Sequence, residues 1–256
     1  MAAAVTGQAV LLPLVGLGLT RCLAPGPSVE AGVLPVAACP AGSMANLYAH
    51  LARADVALAV SLTAVSCLAA LLTLPLALAA FRAYLGESAG LAVPVPALVG
   101  QLALTLVLPV VLGMAVRRAW PAAVERHQGG LFALSVALLA ALIVFVLTQE
   151  AELVAGKLGE LALAVAALTG LALAAGWATA RVAGAGPAER FSVTLVFVVR
   201  NVGIATVLAV TVLGRTEFAV FATAYFLCQV PLLLAAILLY RGSRAAQGVQ
   251  IGADEP

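Results

Sequence analysis

Two short stretches hold most of the chemistry that this chain embeds in apolar surroundings. The first is Cys39-Pro40-Ala41-Gly42-Ser43-Met44-Ala45-Asn46, inside the apolar run of residues 29–51. Pro40 lacks an N–H and clashes with the turn before it. Gly42 weakens a helix further, whereas Ser43 and Asn46 are residue types that cap a helix start. The second is Arg200-Asn201-Val202-Gly203, inside residues 191–213. A guanidinium at membrane depth costs at least about 2.5–3.5 kcal/mol. Arg200 therefore reads either as an anchor for an anion or as an arginine satisfied by carbonyls freed at a helix break, or one that snorkels. Asn46 and Asn201 suit substrate binding, capping or ties between helices. Ser43 would cap and present its hydroxyl at once. A helix restarting at either place turns a positive end toward whatever lies there.

The remaining polar residues narrow the chemistry. Gln8 and Thr63 are single polar residues in apolar runs and read as interhelical ties. His50 reads as interfacial, and His127 lies in a basic stretch. No Ser-His-Asp order, paired carboxylates or H-E-x-x-H pattern occurs, which disfavours an enzyme. No Asp or Glu falls deep in an apolar run, so a cation held there would depend on neutral oxygens. Cys22, Cys39, Cys67 and Cys228 lack metal-ligand spacing and read as free buried thiols. Neither a metal site nor a bound cofactor is expected from these residues.

The elements that must position this chemistry are membrane helices. Hydrophobic residues make up 64% of the chain and charged residues 9%, with a mean hydropathy of +1.15; a soluble domain carries about 25% charged residues. The expected fold is all-α and polytopic, with the lipid bilayer as solvent. The net charge of +2 is too small to suggest nucleic acid. Spans of about 20 residues are expected at 5–23, 29–51, 56–81, 97–116, 131–148, 161–181, 191–213 and 217–240. Residues 29–51 and 191–213 are interrupted, and 97–116 is expected to kink at Pro109. Residues 82–90 and 117–128 read as loops, Val93-Pro94-Val95-Pro96 as an extended lead-in, 149–160 as an acidic connection and 241–256 as a mobile tail. The absence of Lys or Arg before Arg21 argues against a secretory leader.

Broken backbone survives at membrane depth only where protein or a watery cavity satisfies it. Paired interrupted helices point to a transporter's binding site. Spans one to three and six to eight share the order whole, broken, whole, and enter the bilayer from opposite sides, as an inverted repeat requires. Arg53, Arg117, Arg118, Arg126, Arg181, Arg190, Arg241 and Arg244 fall on the side of the termini. Arg21, Arg82, Lys157 and Arg215 fall on the other, so both termini are expected in the cytoplasm.

The stretch from Ala38 to Asn46 resembles the C-P-G-G-T-x-S-N signature of the bile acid:sodium symporter family. Residues 51–66, L-A-R-A-D-V-A-L-A-V-S-L-T-A-V-S, are similar to that family's L-A-K-G-D-V-A-L-S-V-S-L-T-A-V-S. A weaker match joins Arg200-Asn201-Val202-Gly203-Ile204-Ala205 to E-x-x-x-Q-N-S-G-L-A. The resemblance covers residues 8–240 and implies ten helices, two of them discontinuous and crossing, divided into a core and a panel. The family's first two helices are expected to be missing from this sequence, either truncated or never present. Residues 1–81 and 158–240 would be the two core repeats, 82–157 a partial panel and 241–256 a cytoplasmic tail.

The resemblance also implies sodium sites. Gln8, Asn46 and Thr63 match polar ligand positions, while Ala45 and Ala59 stand where the family has serines. Val196 replaces the glutamate shared by the sodium sites, and Arg200 replaces the glutamine beside the asparagine. Losing an anion and gaining a cation opposes sodium binding at close range. Ser43 and Asn201 match positions that face substrate. The leading expectation is a secondary transporter of a small organic anion in the plasma membrane, with Ser43, Asn46, Arg200 and Asn201 at the substrate and sodium coupling weakened or lost. The alternative is a non-transporting membrane subunit or scaffold of the same fold. A homo-oligomer is compatible with either.

Overall fold

The structure, a computed structural model, describes residues 1–85, 95–212, 214 and 216–246. Helix α1 (Ala2–Leu23) is followed by α2 (Pro27–Ala38) and α3 (Met44–Ala52), then α4 (Val56–Leu85). Helices α5 (Val95–Leu102) and α6 (Leu108–Ala119) are joined by a π-helical turn, Ala103–Val107. Next come α7 (Pro121–Gln149), the short α8 (Ala151–Gly156) and α9 (Leu158–Val182). The chain closes with α10 (Pro187–Val198), α11 (Val202–Val207), a second π turn (Leu208–Val212) and α12 (Glu217–Ala246). Among the described residues, five continuous helices are long and apolar enough to cross a membrane. With α7 and the two interrupted helices, α2–α3 and α10–α11, they account for the eight expected spans.

Local chemistry sets the ends. Pro27 and Pro187 occupy first helical turns, where a missing N–H costs nothing. Asp55 accepts the Leu58 N–H at 2.8 Å and starts α4. Glu189 accepts the Gly186 N–H at 2.8 Å and starts α10. Helix α3 ends in a left-handed residue, Arg53 at φ 52°.

The two halves interleave. Helix α9 packs on α1 and α10, α12 on α2 and α3, and α4 on α1, α3 and α10. Each interrupted helix is thus flanked by a continuous helix of the other half. Close approach is steric: a Cβ on Gly32 of α2 would stand 2.5 Å from the Phe221 Cβ of α12. The α5–α6 span is peripheral. It buries 12% of its most apolar window, against 39% for α1 and for α9.

Several expectations are corrected. Val95 and Pro96 are helical rather than extended, because a proline in a first turn loses no helix bond. Residues 117–128 are not a loop: α6 and α7 meet at Trp120, and Pro121 starts the second helix at once. Pro109, where a kink is expected, lies at the start of α6 just after the π turn, a ladder irregularity of the kind that accompanies kinks. The acidic connection contains α8 and fastens the core: Lys157 Nζ donates to Ser28 Oγ at 2.9 Å, the Gly26 N–H donates to the Glu160 carboxylate, and Thr216 donates to Glu150. Residues 241–246 continue α12, while 247–256 lie outside the described residues, as do 86–94. Cys39 is buried and Cys67 half-buried, but Cys22 and Cys228 are exposed on the apolar perimeter.

Candidate functional site

The two interruptions cross and pair with each other. Ala41 and Arg200 form an antiparallel bridge. The Gly42 N–H donates to Val199 O at 2.8 Å and the Asn201 N–H to Pro40 O at 2.9 Å. Backbone freed by one break therefore satisfies backbone freed by the other. Side chains from neighbouring helices add three further contacts. The Ala41 N–H donates to Ser66 Oγ at 3.1 Å, and Cys67 Sγ lies 3.8 Å from Ala41 O. Tyr225 Oη donates to Val198 O at 2.7 Å. Gly42 is needed at the contact, because a Cβ there would lie 2.8 Å from the Arg200 carbonyl oxygen.

Helices α3 and α11 both start at this crossing. Asn201 caps α11, its Oδ1 accepting the Ile204 N–H at 3.2 Å. Ser43 occupies the N-cap position of α3 with αR backbone and makes no side-chain cap bond; the expected capping is absent and its hydroxyl is exposed. A cavity of about 140 Å³ is bounded by Gly42, Ser43, Asn201, Gly203, Phe226 and Gln229. Gln229 is 0% exposed, and neither of its amide atoms has a partner among the described residues.

Arg200 is 4% exposed. Its backbone lies against Gly42 at the crossing, while its Nη1 donates to Gln8 Oε1 at 3.4 Å. The same Gln8 oxygen accepts from Ser66 Oγ at 3.3 Å. Arg200 Nε and Gln8 Nε2 have no partner among the described residues. A small cavity of about 10 Å³ beside them is lined by Gln8, Cys39, Pro40, Ser66, Thr73 and Arg200, room for about one water-sized group. The guanidinium thus engages α1 behind the crossing. Among the described residues it makes no ion pair with a carboxylate.

The other singled-out positions form a separate cluster. Thr63 Oγ1 lies 3.2 Å from Asn46 Oδ1 and 2.8 Å from Ala59 O. Ala45, Ala59 and Val196 are fully buried in apolar contacts. Among the described residues no group of three or more His, Cys, Asp or Glu is placed to hold a metal ion.

Residues 1–157, more than half of the chain, match the model of the Sodium Bile acid symporter family. The chain belongs to that family. The matched part contains the first break, Gln8, Ser43, Asn46 and Thr63; Arg200 and Asn201 lie beyond it. The human ileal sodium/bile acid cotransporter is 31% identical over 150 residues, covering 58% of this chain and 43% of that protein. The mouse protein of the same name is 32% identical over 158 residues, with the same coverage. The Cricetulus griseus protein is 34% identical over 119 residues, 43% of this chain and 32% of its own. The alignments thus reach less than half the length of these curated relatives.

Of the residues singled out from the sequence, Gln8 and Arg200 are joined directly, and Asn46 and Thr63 are joined to each other. Ser66, Tyr225 and Gln229 carry the crossing and its cavity but were not among the residues singled out from sequence. A signal for the last two exists. Tyr225 and Gln229 are four residues apart in an apolar helix, so they share one face.

Proposed function

We propose that this protein is a secondary transporter of a small organic anion, working without an exchangeable sodium ion. The observation that supports it most is the pair of interrupted helices whose N-terminal ends border one cavity at their crossing. Helix N-termini favour anions through unpaired N–H groups and the helix dipole. In this reading a carboxylate or sulfonate lies between Ser43 and Asn201, with the Gln229 amide offering both a donor and an acceptor. Arg200 adds positive charge from directly behind the crossing, and Asn46 holds the first turn of α3 against α4 through Thr63. The cavity of about 140 Å³ is smaller than the roughly 300–1,000 Å³ of sites that enclose drug-sized ligands. It takes an anionic headgroup or a short carboxylate whole, so a bile acid would extend beyond it.

Sodium independence rests on charge. Gln8 Oε1 already accepts from Ser66 and Arg200. At Val196 an apolar side chain stands where the family resemblance places a carboxylate. A fixed guanidinium repels a second cation nearby. The excess of arginine on the side of the termini supports a protein with both ends in the cytoplasm.

The test is uptake into proteoliposomes of a radiolabelled bile acid and of radiolabelled short-chain carboxylates, with and without a sodium gradient. Saturable uptake of one of them, unchanged by sodium and abolished by Arg200→Gln, is the expected result. Uptake that requires the gradient would overturn the ion-free reading. Absence of saturable uptake for every anion would favour a scaffold of the same fold.

A further inference from the structure

A groove of about 780 Å³ runs between α9, α10 and α12 and shares no lining residue with the cavity at the crossing. Its walls change along its length. Gly170, Leu173 and Ala174 leave an apolar slot on α9, and the space beside Gly170 is open. The seven residue steps from Gly170 to Trp177 span about 10 Å of helix. At the far end the lining becomes aromatic and basic, with Trp177, Arg190, Phe191, Tyr240 and Ser243.

That end is built. The Arg181 and Arg190 guanidinium carbons lie 5.2 Å and 5.9 Å from the centroid of the Trp177 ring. Cations over an indole face are held by its quadrupole. The Phe191 and Tyr240 rings stack at 4.0 Å. Arg190 Nη2 donates to Ala185 O at 3.0 Å, whereas its Nε is buried without a partner among the described residues. Glu189, the acid beside it in sequence, is taken up by the Gly186 N–H. Arg241 adds a further positive charge near the end of α12. The local balance is therefore positive, at the ends of helices where tryptophan and tyrosine mark a membrane interface.

An aliphatic slot beneath a paired-guanidinium mouth matches one kind of molecule. We propose that this groove binds a phospholipid whose headgroup carries net negative charge, with an acyl chain along Gly170, Leu173 and Trp177 and the phosphate between Arg181 and Arg190. A zwitterionic headgroup would bring its ammonium toward the two guanidinium groups, so charge selects against it.

Tryptophan fluorescence reads this directly, because the chain has two tryptophans and Trp120 can be replaced by phenylalanine. The full chain carrying Trp120→Phe is reconstituted in phosphatidylcholine with increasing fractions of either brominated phosphatidylglycerol or brominated phosphatidylcholine. The expected result is that Trp177 is half-quenched at a several-fold lower fraction of the anionic lipid. Arg181→Gln, on an exposed side chain, raises that fraction about fivefold, the effect of one juxtamembrane arginine. Equal quenching by the two lipids, or an Arg181→Gln curve that overlays its parent in a protein of unchanged helix content, would overturn the proposal. So would loss of the anionic preference on adding inorganic phosphate at matched ionic strength, which would give the site to a soluble ion.

Discussion

The two breaks reach the same geometry from different sequences. The first, between α2 and α3, is written locally: Pro40 and Gly42 lie two residues apart, and the segment carries no charge. The second, between α10 and α11, contains neither proline nor glycine from Phe191 to Val202. Val199 turns extended, at φ −79° and ψ 99°, and the polar pair Arg200-Asn201 follows. Side-chain capping differs as well, since Asn201 caps α11 and Ser43 leaves α3 uncapped. The first break is thus imposed by residues that cannot continue a helix. The second is held by its partner, whose backbone bonds the Val199 carbonyl and the Asn201 N–H, and by Tyr225 holding the Val198 carbonyl.

This contrast can be broken at its shared point. Gly42→Val places a branched side chain where even a Cβ would lie 2.8 Å from the Arg200 oxygen. Overpacking a well-filled site costs about 1–3 kcal/mol, and here it also parts the bridge. The largest effect is expected from this variant: a fall in Tm of the purified protein and loss of uptake together. A Gly42→Val protein with parental Tm would mean that the two breaks do not touch.

Tyr225→Phe comes next and loads the second break alone. It leaves the Val198 carbonyl buried without its donor, a cost of about 1–3 kcal/mol. Thermal unfolding should register that loss, and hydrogen exchange should rise at Val202 and Ile204 before it rises in α3. Exchange that rises equally in α3 and α11 would show that the breaks are held as one unit rather than each by its own neighbours.

The smallest effects sharpen the asymmetry. Asn201→Ala removes an N-cap bond, worth about 0.5–2 kcal/mol, whereas Ser43→Ala removes none and should leave Tm within experimental error. Both are expected to raise the KM for a transported anion. Equal destabilisation by the two substitutions would contradict the difference in capping.

Much of this was legible in the sequence because membrane helices announce themselves by length. Pro40 showed the first break through its own chemistry. Arg200 and Asn201 showed the second only because polar residues are costly in that setting. The exact bonds were not legible, since Val199–Gly42 and Asn201–Pro40 join residues about 160 positions apart and depend on how the halves interleave. Residues 117–128 were misread for a related reason. Arginines and a glutamate suggest solvent, but charged side chains at helix ends reach water without breaking the helix. Gln229 was overlooked because one amide in an apolar helix looks like packing until its neighbours are known. The direction of the Arg200 side chain, toward Gln8 rather than toward Ser43, needed the fold as well.

The central claim is that an anion sits between the starts of α3 and α11. Its most direct test is the rate at which a water-soluble, charged methanethiosulfonate modifies Ser43→Cys, in a chain whose exposed Cys22 and Cys228 are replaced by serine. Saturating concentrations of the anion taken up by proteoliposomes should slow that modification several-fold, and adding Asn201→Ala should remove the protection. A modification rate that ignores the transported anion would contradict the claim.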